Sequence, residues 1–343
     1  MGGDNAPKAI VEGALFALKD FHCEIILIGD ENRIKTCIGS QSVPSSLSIL
    51  HTNEAVAMNE NPTAALRQKK KTSVFLATEQ VKKGLADAII SAGNTGALLE
   101  VAVLTLGRLK GIRRPAIVTP MPTPKGLALL LDAGANSDNK PEHLLQFGIM
   151  GSIYAEKVLG RKKPKVGLLN IGKEPNKGNA ILLEARELLE HAPVNFIGNV
   201  EPFGFLDGEV DVVVCDGFVG NMVLKTAEAV SEKIFSILKK EFSMSFTRKI
   251  GALLLLPAFK SIKSRLDQAE YGGAPFLGVN GICLKSHGRA NPRAIRNAIK
   301  VALETHKNGM IGALIDTLAT LGPVQKNSIQ ERSNSKVASS HHS

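Results

Sequence analysis

Short, mostly apolar segments alternate with longer helical patterns along most of this sequence. The apolar segments are residues 24–28, 86–90, 116–119, 127–131, 165–170, 195–200 and 211–215. Helical patterns lie between most of them, for example at residues 95–106, 141–159, 179–189 and 221–239. Continuously apolar strands are buried on both faces, and helices cover both faces of a parallel sheet. The alternation therefore predicts an α/β fold with three layers, α/β/α, and a mainly parallel sheet.

Composition excludes several other classes of protein. Hydrophobic residues make up 44% of the 343 residues and charged residues 22%, which excludes a disordered chain and an integral membrane protein. The four cysteines lie far apart without a Cys-x-x-Cys pair, which predicts reduced thiols and a cytoplasmic protein. The sequence contains neither a metal-ligand motif nor a glycine-rich nucleotide fingerprint. We therefore expect neither a metal nor a cofactor.

The pattern predicts one catalytic domain followed by a tail. Residues 1–322 form the predicted α/β/α domain, and residues 323–343, rich in Ser, Asn, Gln and His, form a predicted disordered tail. The turn at Met1–Asn5 leads directly into a helical pattern that Asn5 is suited to cap. Because such a turn normally follows a strand, we expect a first strand upstream of Met1.

The net charge of +10 is concentrated in one segment. Residues 236–265 contain seven Lys or Arg and one Glu, but few aromatic residues that would stack on nucleic-acid bases. The apolar run in this segment includes Leu253, Leu254, Leu255, Leu256 and Phe259. We predict an amphipathic helical hairpin at residues 236–266 that contacts an anionic membrane surface through these residues, and no binding of nucleic acid. Packing of the hairpin in a dimer interface is the alternative.

Two apolar segments end in similar Gly-x-x-Gly loops that open helices. The first loop contains Gly93, Asn94, Thr95 and Gly96, and the second contains Asp216, Gly217, Gly220 and Asn221. Glycine lets backbone N–H groups turn toward a ligand, and a helix N-terminus attracts an anion. Tight glycine turns and helix capping by Asp216 are the alternatives. The similarity predicts two units that face each other across one crevice.

Two further loops carry candidate residues. Lys177 lies beside Gly178 after the apolar segment 165–170, with Asn179 at the start of the next helix. A lysine in this position is suited to neutralise phosphate or to stabilise an oxyanion, with a solvated lysine as the alternative. His287 follows the predicted strand 282–285, where a structural histidine is the alternative. Cys215 is interpreted as a buried strand residue and not as a nucleophile.

Taken together, these motifs resemble those of the bacterial phosphate acyltransferases, acyl-carrier-protein:phosphate acyltransferases of phospholipid synthesis. The matching segments are Met1-Gly2-Gly3-Asp4 with Ala6-Pro7, and residues 91–97, 132–136, 166–172 with 177–179, 198–201, 211–221, and 271–281 with 287–288. They occur in family order from Met1 to about Leu321. Two features depart from the family pattern: the missing first strand, and Arg289-Ala290 in place of small polar residues.

The resemblance implies that inorganic phosphate attacks the thioester of a long-chain acyl carrier protein, giving an acyl phosphate and a free thiol. Such a reaction requires positioning and charge compensation. On this basis Lys177 polarises the carbonyl oxygen beside Asn179, Asp216 orients phosphate or Lys177, and His287 assists. The residues expected to bind phosphate or substrate are Gly3, Asp4, Gly93, Asn94, Thr95, Gly96, Gly217, Gly220 and Asn221.

The resemblance also implies a Rossmann-like fold similar to phosphotransacetylases and isocitrate dehydrogenases, and a homodimer associated with the inner face of the membrane. A membrane glycerol-3-phosphate acyltransferase would consume the product. The basic surface suits an acidic carrier protein. The rival hypotheses are a phosphotransacylase that uses acyl-coenzyme A and a catalytically silent scaffold that recruits acyl carrier protein to membranes.

Overall fold

A computed structural model describes residues 1–39, 43–69, 71–266 and 268–320. In these ranges, eleven strands form three sheets, and most neighbouring strands are parallel. The predicted α/β class with a mainly parallel arrangement is confirmed, although three sheets share the strands. The predicted disordered tail, residues 323–343, lies outside the described residues.

The largest sheet has five strands. They are β5 (Thr119–Thr123), β6 (Gly126–Leu131), β7 (Lys165–Leu169), β8 (Asn195–Val200) and β9 (Val212–Val214). Their order is β5-β6-β9-β7-β8, and every neighbouring pair is parallel except β5 and β6. The carboxyl ends of β6, β7, β8 and β9 therefore lie at one edge, where ligands bind in open α/β sheets.

A second sheet has four strands, and a third has two. The four-stranded sheet contains β3 (Ala88–Ser91), β4 (Ala116–Ile117), β10 (Ala274–Leu277) and β11 (Ile282–Lys285) in the order β3-β11-β10-β4. Strands β3 and β11 are parallel, with Ser91 opposite Lys285, so both strands end at the same edge. The parallel pair β1 (Ile25–Gly29) and β2 (Leu47–His51) forms the two-stranded sheet.

Helices connect these strands. They are α1 (Lys8–Asp20), α2 (Glu31–Ile38), α3 (Pro62–Gln68), α4 (Ser73–Lys82), α5 (Thr95–Thr105), α6 (Pro141–Lys157), α7 (Ala180–Glu190), α8 (Pro202–Leu206), α9 (Gly217–Ser243), α10 (Phe246–Leu266), α11 (Pro292–Lys307) and α12 (Met310–Thr320). The prediction that Asn5 caps the first helix is wrong. Pro7 occupies the cap position, and the Asn5 amide instead donates to the carbonyls of Arg289 and Ala290. The Asn5 side chain therefore ties the amino-terminal turn to the loop before α11.

One hydrophobic cluster joins the two larger sheets. It contains Val213 and Phe205 from the five-stranded side, and Phe276 and Cys283 from the four-stranded side. Cys215 is buried in the same cluster, and burial raises the pKa of its thiol well above the usual value. The burial of Cys215 agrees with its interpretation as a packed residue, and the shared core holds the two sheet edges near each other.

Helices α9 and α10 form a pair that includes the predicted hairpin segment 236–266 and begins earlier in the chain, at Gly217. The rings of Phe242 and Phe259 meet edge to face, with centroids 5.2 Å apart. The middle of α10 presents apolar residues to solvent, because Leu253, Leu254, Leu255 and Leu256 are all exposed, Leu254 to 76%. None of the helices in the described ranges has both the length and the apolar character needed to cross a bilayer.

Candidate functional site

The loop after β7 carries Lys177 at the carboxyl edge of the five-stranded sheet. The Lys177 side chain is exposed, and its stem lies over Gly172, where an added Cβ would be 3.1 Å from Lys177 Cγ. The Asn170 amide donates to the Lys177 carbonyl at 3.0 Å, and the Asn199 amide donates to the Glu174 carbonyl at 2.8 Å. Two buried amides thus fix the backbone from which the Lys177 ammonium extends.

Asn179 and Asp216 cap helices at this edge. Asn179 Oδ1 accepts from the N–H of Leu182 at 3.0 Å, and Asp216 Oδ1 accepts from the N–H of Val219 at 2.8 Å. The capping alternative for Asp216 is therefore observed. No hydrogen bond or ion pair joins Asp216 to Lys177 within the described ranges, and the catalytic roles assigned to both stay predictions.

Asp132 is the most constrained carboxylate of this edge and is absent from the predicted site residues. It is fully buried and accepts hydrogen bonds of 2.8–3.1 Å from the backbone N–H groups of Ile117, Gly134, Ala135 and Asn136. The Asn136 side-chain amide adds a fifth bond at 2.8 Å. Burial raises the pKa of the Asp132 carboxyl, and the hydrogen bonds from the backbone of Ile117, Gly134 and Ala135 and from the Asn136 side chain oppose that rise. Asp132 therefore fixes the loop 132–136.

Gly217 and Gly220 pack directly on this loop. A Cβ at Gly217 would lie 2.4 Å from the Asn136 carbonyl oxygen, and one at Gly220 would lie 1.9 Å from that of Asp132. The Gly217 N–H donates to the Asn136 carbonyl at 2.9 Å, and Asn221 lies against Gly134. Close approach of α9 explains both glycines, and their predicted contact with substrate stays a prediction.

Asn94 organises the edge of the four-stranded sheet. Its Oδ1 caps α5 by accepting from the N–H of Ala97 at 3.0 Å. Its amide donates to the carbonyls of Ala57, Met58 and Glu60 at 3.1–3.3 Å. Thr95 and Gly96 follow as the first residues of the helix, with Gly96 against the ring of Pro62. Asn94 thereby fastens the 57–60 loop over the helix N-terminus.

The amino-terminal turn closes the same edge. The Asp4 N–H donates to the Gly288 carbonyl at 2.9 Å, and a Cβ at Gly3 would touch both Ala92 and the Gly288 carbonyl. The Gly93 N–H donates to Ser91 Oγ at 3.1 Å. Of the predicted residues, Gly3, Asp4, Gly93 and His287 thus come together around the ends of β3 and β11.

His287 projects from the loop after β11. Its Nδ1 accepts from the N–H of Arg289 at 3.1 Å, which places the proton of the neutral ring on Nε2. Partial burial lowers the pKa of His287, the cations Lys225, Lys285 and Arg289 act in the same direction, and Glu228 opposes them. The neutral ring therefore persists to lower pH than that of a free histidine.

Lys285, the last residue of β11, is also absent from the predicted site residues. It is 9% exposed, and its Nζ donates to the carbonyl of Ser286. Burial lowers the pKa of Lys285 to about 8, with Lys225 acting in the same direction and Asp4 opposing it. A lysine that ends an otherwise apolar strand directly before Ser286-His287-Gly288 was the available sequence signal.

Helix α9 links the two edges. It begins after Asp216 at the five-stranded sheet and, about two turns later, carries Lys225 and Glu228 close enough to His287 to shift its pKa. The Lys225 Nζ and a Glu228 carboxylate oxygen lie 2.7 Å apart. The crevice expected between the two similar strand–loop–helix units stays a prediction.

Comparison with known proteins decides the family. Residues 1–312 match a family model described as fatty acid synthesis protein. The chain is 53% identical over 312 residues to the phosphate acyltransferase of Desulfitobacterium hafniense (strain DSM 10664 / DCB-2), covering 91% of this chain and 93% of that protein. It is 49% identical over 316 residues to the phosphate acyltransferase of Moorella thermoacetica, covering 92% and 93%. The chain belongs to the phosphate acyltransferase family. It is accordingly an acyltransferase, as the sequence motifs predicted.

Comparison with solved structures supports the fold described above. A phosphotransacetylase from Streptococcus pyogenes superposes with a TM-score of 0.59 at 16% identity, covering 88% of this chain and 92% of that one. A branched-chain phosphotransacylase from Enterococcus faecalis V583 gives 0.52 at 16% identity, covering 89% and 97%. At this identity the likeness concerns the fold alone, and it confirms the predicted phosphotransacetylase-like architecture.

Proposed function

We propose that this phosphate acyltransferase transfers a long-chain fatty acyl group from acyl carrier protein to inorganic phosphate, forming an acyl phosphate for phospholipid synthesis. Family membership supports the reaction class. The observation that carries the proposal is the exposed Lys177 ammonium on its fixed loop. A thioester carbonyl gains negative charge on its oxygen as it becomes tetrahedral, and a positioned cation stabilises that charge.

The proposed step uses phosphate itself as the nucleophile. A phosphate oxygen attacks the thioester carbon, and the carbonyl oxygen of the tetrahedral intermediate receives the charge opposite Lys177. The carbonyl then re-forms, the carbon–sulfur bond breaks, and the thiolate leaves with the electron pair and takes up the proton that hydrogen phosphate releases. His287, with Nε2–H available, is suited to assist at the thiolate, and Asp216 to orient phosphate or Lys177. Cys215 and Cys283 are buried with raised thiol pKa values, which suits neither to nucleophilic attack.

The test is Lys177→Ala, with Lys173→Ala as the matched control. Lys173 lies in the same loop, but its ammonium pairs with Glu209 at 2.9 Å. We expect Lys177→Ala to lower kcat by about 100-fold or more without a change in Tm, and Lys173→Ala to keep near-normal turnover.

A second experiment separates the rival hypotheses. The acyl phosphate product is trapped with hydroxylamine, with either acyl-acyl carrier protein or acyl-coenzyme A as the acyl donor. Turnover only with acyl-coenzyme A supports the first rival hypothesis, and no acyl phosphate from either donor supports the scaffold.

We also propose that the α9–α10 pair docks on an anionic membrane, which shortens the exposure of the reactive, apolar product to water. Leu253, Leu254, Leu255 and Leu256 are exposed, whereas Phe259 packs on Phe242 and holds the pair together. Exposed cations flank this apolar surface, namely Arg248, Lys249, Lys260 and Arg265. Apolar residues between cations suit the interface of a bilayer containing anionic lipids. A homodimer and transfer of the product to a membrane glycerol-3-phosphate acyltransferase belong to the same proposal.

Vesicle flotation tests the membrane proposal. Replacing both Leu254 and Leu255 with Glu should abolish binding to anionic liposomes and leave turnover in solution unchanged. Leu104→Glu on α5 is the matched control, because Leu104 is 73% exposed on a different helix. Liposome binding that survives the double replacement contradicts the membrane proposal. Conversion to a monomer in sedimentation supports the dimer-interface alternative.

A further inference from the structure

Lys285 is a buried cation whose donors are incompletely used. Lys285 lies at the carboxyl edge of the four-stranded sheet, opposite Ser91 on the neighbouring parallel strand. A lysine ammonium has three N–H donors, and the hydrogen bond found for Nζ goes to the Ser286 carbonyl. Within the described part of the chain, no carboxylate forms an ion pair with Nζ. A buried charge without a counter-ion destabilises a protein, so a residue of this kind is suited to an anionic ligand.

The charged groups around Lys285 come from several elements. Asp4 faces it from the amino-terminal turn, and Lys225 faces it from α9. His287, Arg289 and Glu228 lie in the same neighbourhood, where Glu228 pairs with Lys225. Cations therefore outnumber carboxylates at this end of the crevice. The excess of positive charge favours a small anion carrying more than one negative charge.

We infer that Lys285 binds the inorganic phosphate that accepts the acyl group. This inference rests on the proposed function and names the residue that holds its nucleophile. The Lys285 ammonium donates to one phosphate oxygen, and Asp4 accepts from the hydroxyl of hydrogen phosphate. The turn and the loops at these strand ends contain Gly2, Gly3, Gly93 and Gly288, and the lack of side chains at these positions lets the segments pack closely against one another. Lys177, at the other edge, then acts on the acyl donor.

The kinetic test compares Lys285→Met with Lys285→Arg and with the exposed control Lys300→Met on α11. In Lys285→Met we expect the KM for phosphate to rise about tenfold or more, while the KM for the acyl donor stays within a factor of about two. Lys285→Arg keeps the charge and should recover part of the loss. An unchanged KM for phosphate overturns the inference. A rise confined to the KM for the acyl donor also overturns the inference, because Lys285 would then bind the phosphodiester of the donor's prosthetic group.

The pH profile adds a readout that a purely structural role would not change. Because the pKa of Lys285 is about 8, phosphate should bind best below that pH, and its KM should rise as the ammonium loses its proton. In Lys285→Arg this rise should disappear between pH 7 and 9. A rise that persists unchanged in Lys285→Arg assigns the pH effect to another group, and contradicts a role for Lys285.

Chemical labelling tests the wild-type enzyme, so it does not depend on the folding of a variant. Trace acetic anhydride at pH 8 should acetylate Lys285 several-fold less in sodium phosphate than in sodium chloride of equal ionic strength, with Lys300 equally labelled in both. Equal labelling of Lys285 in the two salts overturns the inference. Protection of Lys285 without acyl transfer leaves the phosphate site intact and contradicts only the proposed function. Normal acyl transfer without protection contradicts only the role of Lys285.

Discussion

The two sheet edges each bury one charged side chain, and the two charges differ in how completely they are satisfied. Asp132, at the five-stranded sheet, accepts five hydrogen bonds from its own loop and from β4. Lys285, at the four-stranded sheet, donates to one backbone carbonyl. A buried charge with a complete set of partners holds the scaffold together, whereas one with unused donors leaves room for a ligand. Burial alone therefore does not distinguish a structural charge from a binding one.

Asp132→Ala should produce the largest effect. Its removal leaves four backbone N–H groups and one amide without an acceptor in the interior, and we expect the free energy of unfolding to fall by about 4 kcal/mol. Denaturation by urea measures this loss. Asp132→Asn, which keeps one acceptor oxygen, should lose less. Near-normal stability of Asp132→Ala would mean that the Asp132 carboxylate does not hold the scaffold together, and the contrast with Lys285 would be lost.

Gly220→Ala and Gly93→Ala extend the comparison to the two similar loops. A Cβ at Gly220 meets the backbone of Asp132, whereas one at Gly93 lies 3.3 Å from the rotatable hydroxyl of Ser91. We expect a loss of about 3 kcal/mol for Gly220→Ala and less than about 1 kcal/mol for Gly93→Ala. Thermal unfolding compares the two variants. Equal losses would mean that the two glycines serve the same purpose.

The pH dependence of the free energy of unfolding should reveal the perturbed pKa of Lys285. Lys285 has a pKa of about 8 in the folded protein against 10.5 as its ordinary value. Between these values the unfolded chain holds the proton and the folded chain does not, so stability rises with pH. We expect the wild type to gain about 2 kcal/mol relative to Lys285→Met between pH 8 and pH 10. Parallel stability curves for the two proteins, obtained by urea denaturation at each pH, would show that the amine is not perturbed.

Asp216 should give the smallest change in stability and the clearest separation of its two roles. Asp216→Ala removes the cap of α9 and should cost about 1 kcal/mol. Asp216→Asn keeps a capping oxygen, so its stability should return to that of the wild type. If the negative charge orients phosphate or Lys177, turnover should remain low in Asp216→Asn. Recovery of both stability and turnover would leave Asp216 with capping alone.

Much of the fold follows from local pattern. Strand β9 is apolar throughout, β7 is apolar after its first residue Lys165, and both lie where the sequence predicts them. By contrast, β10 lies between Gly273 and Gly278 in a glycine-rich segment where the sequence pattern predicts no strand, and its pairing with β4 depends on residues far away in sequence. Similarly, α9 begins at Gly217 and not at Asn221, because small residues in its first turn allow contact with the distant Asp132 loop.

In the candidate site, too, local sequence patterns identify some residues and miss those that depend on distant contacts. Lys177 lies in an irregular polar loop after an apolar strand, and this local signal made it recognisable. Lys285 instead completes an apolar strand. Burial is the main cause of its lowered pKa, and the charged groups that also act on it, Asp4 and Lys225, lie far away in sequence. A sequence pattern identifies the residues that carry charge. The electrostatic surroundings of a charge depend on contacts between distant segments.

The length of α9 has a mechanical consequence. This helix has 27 residues and is about 40 Å long, with its first turn fixed on the Asp132 loop and its last turn paired with α10. A rotation of only about 5° at the first turn displaces the far end by about 3.5 Å. The helix is therefore a lever, and a force applied to its far end is transmitted along a stiff helix to Lys225 and to the Asp132 loop.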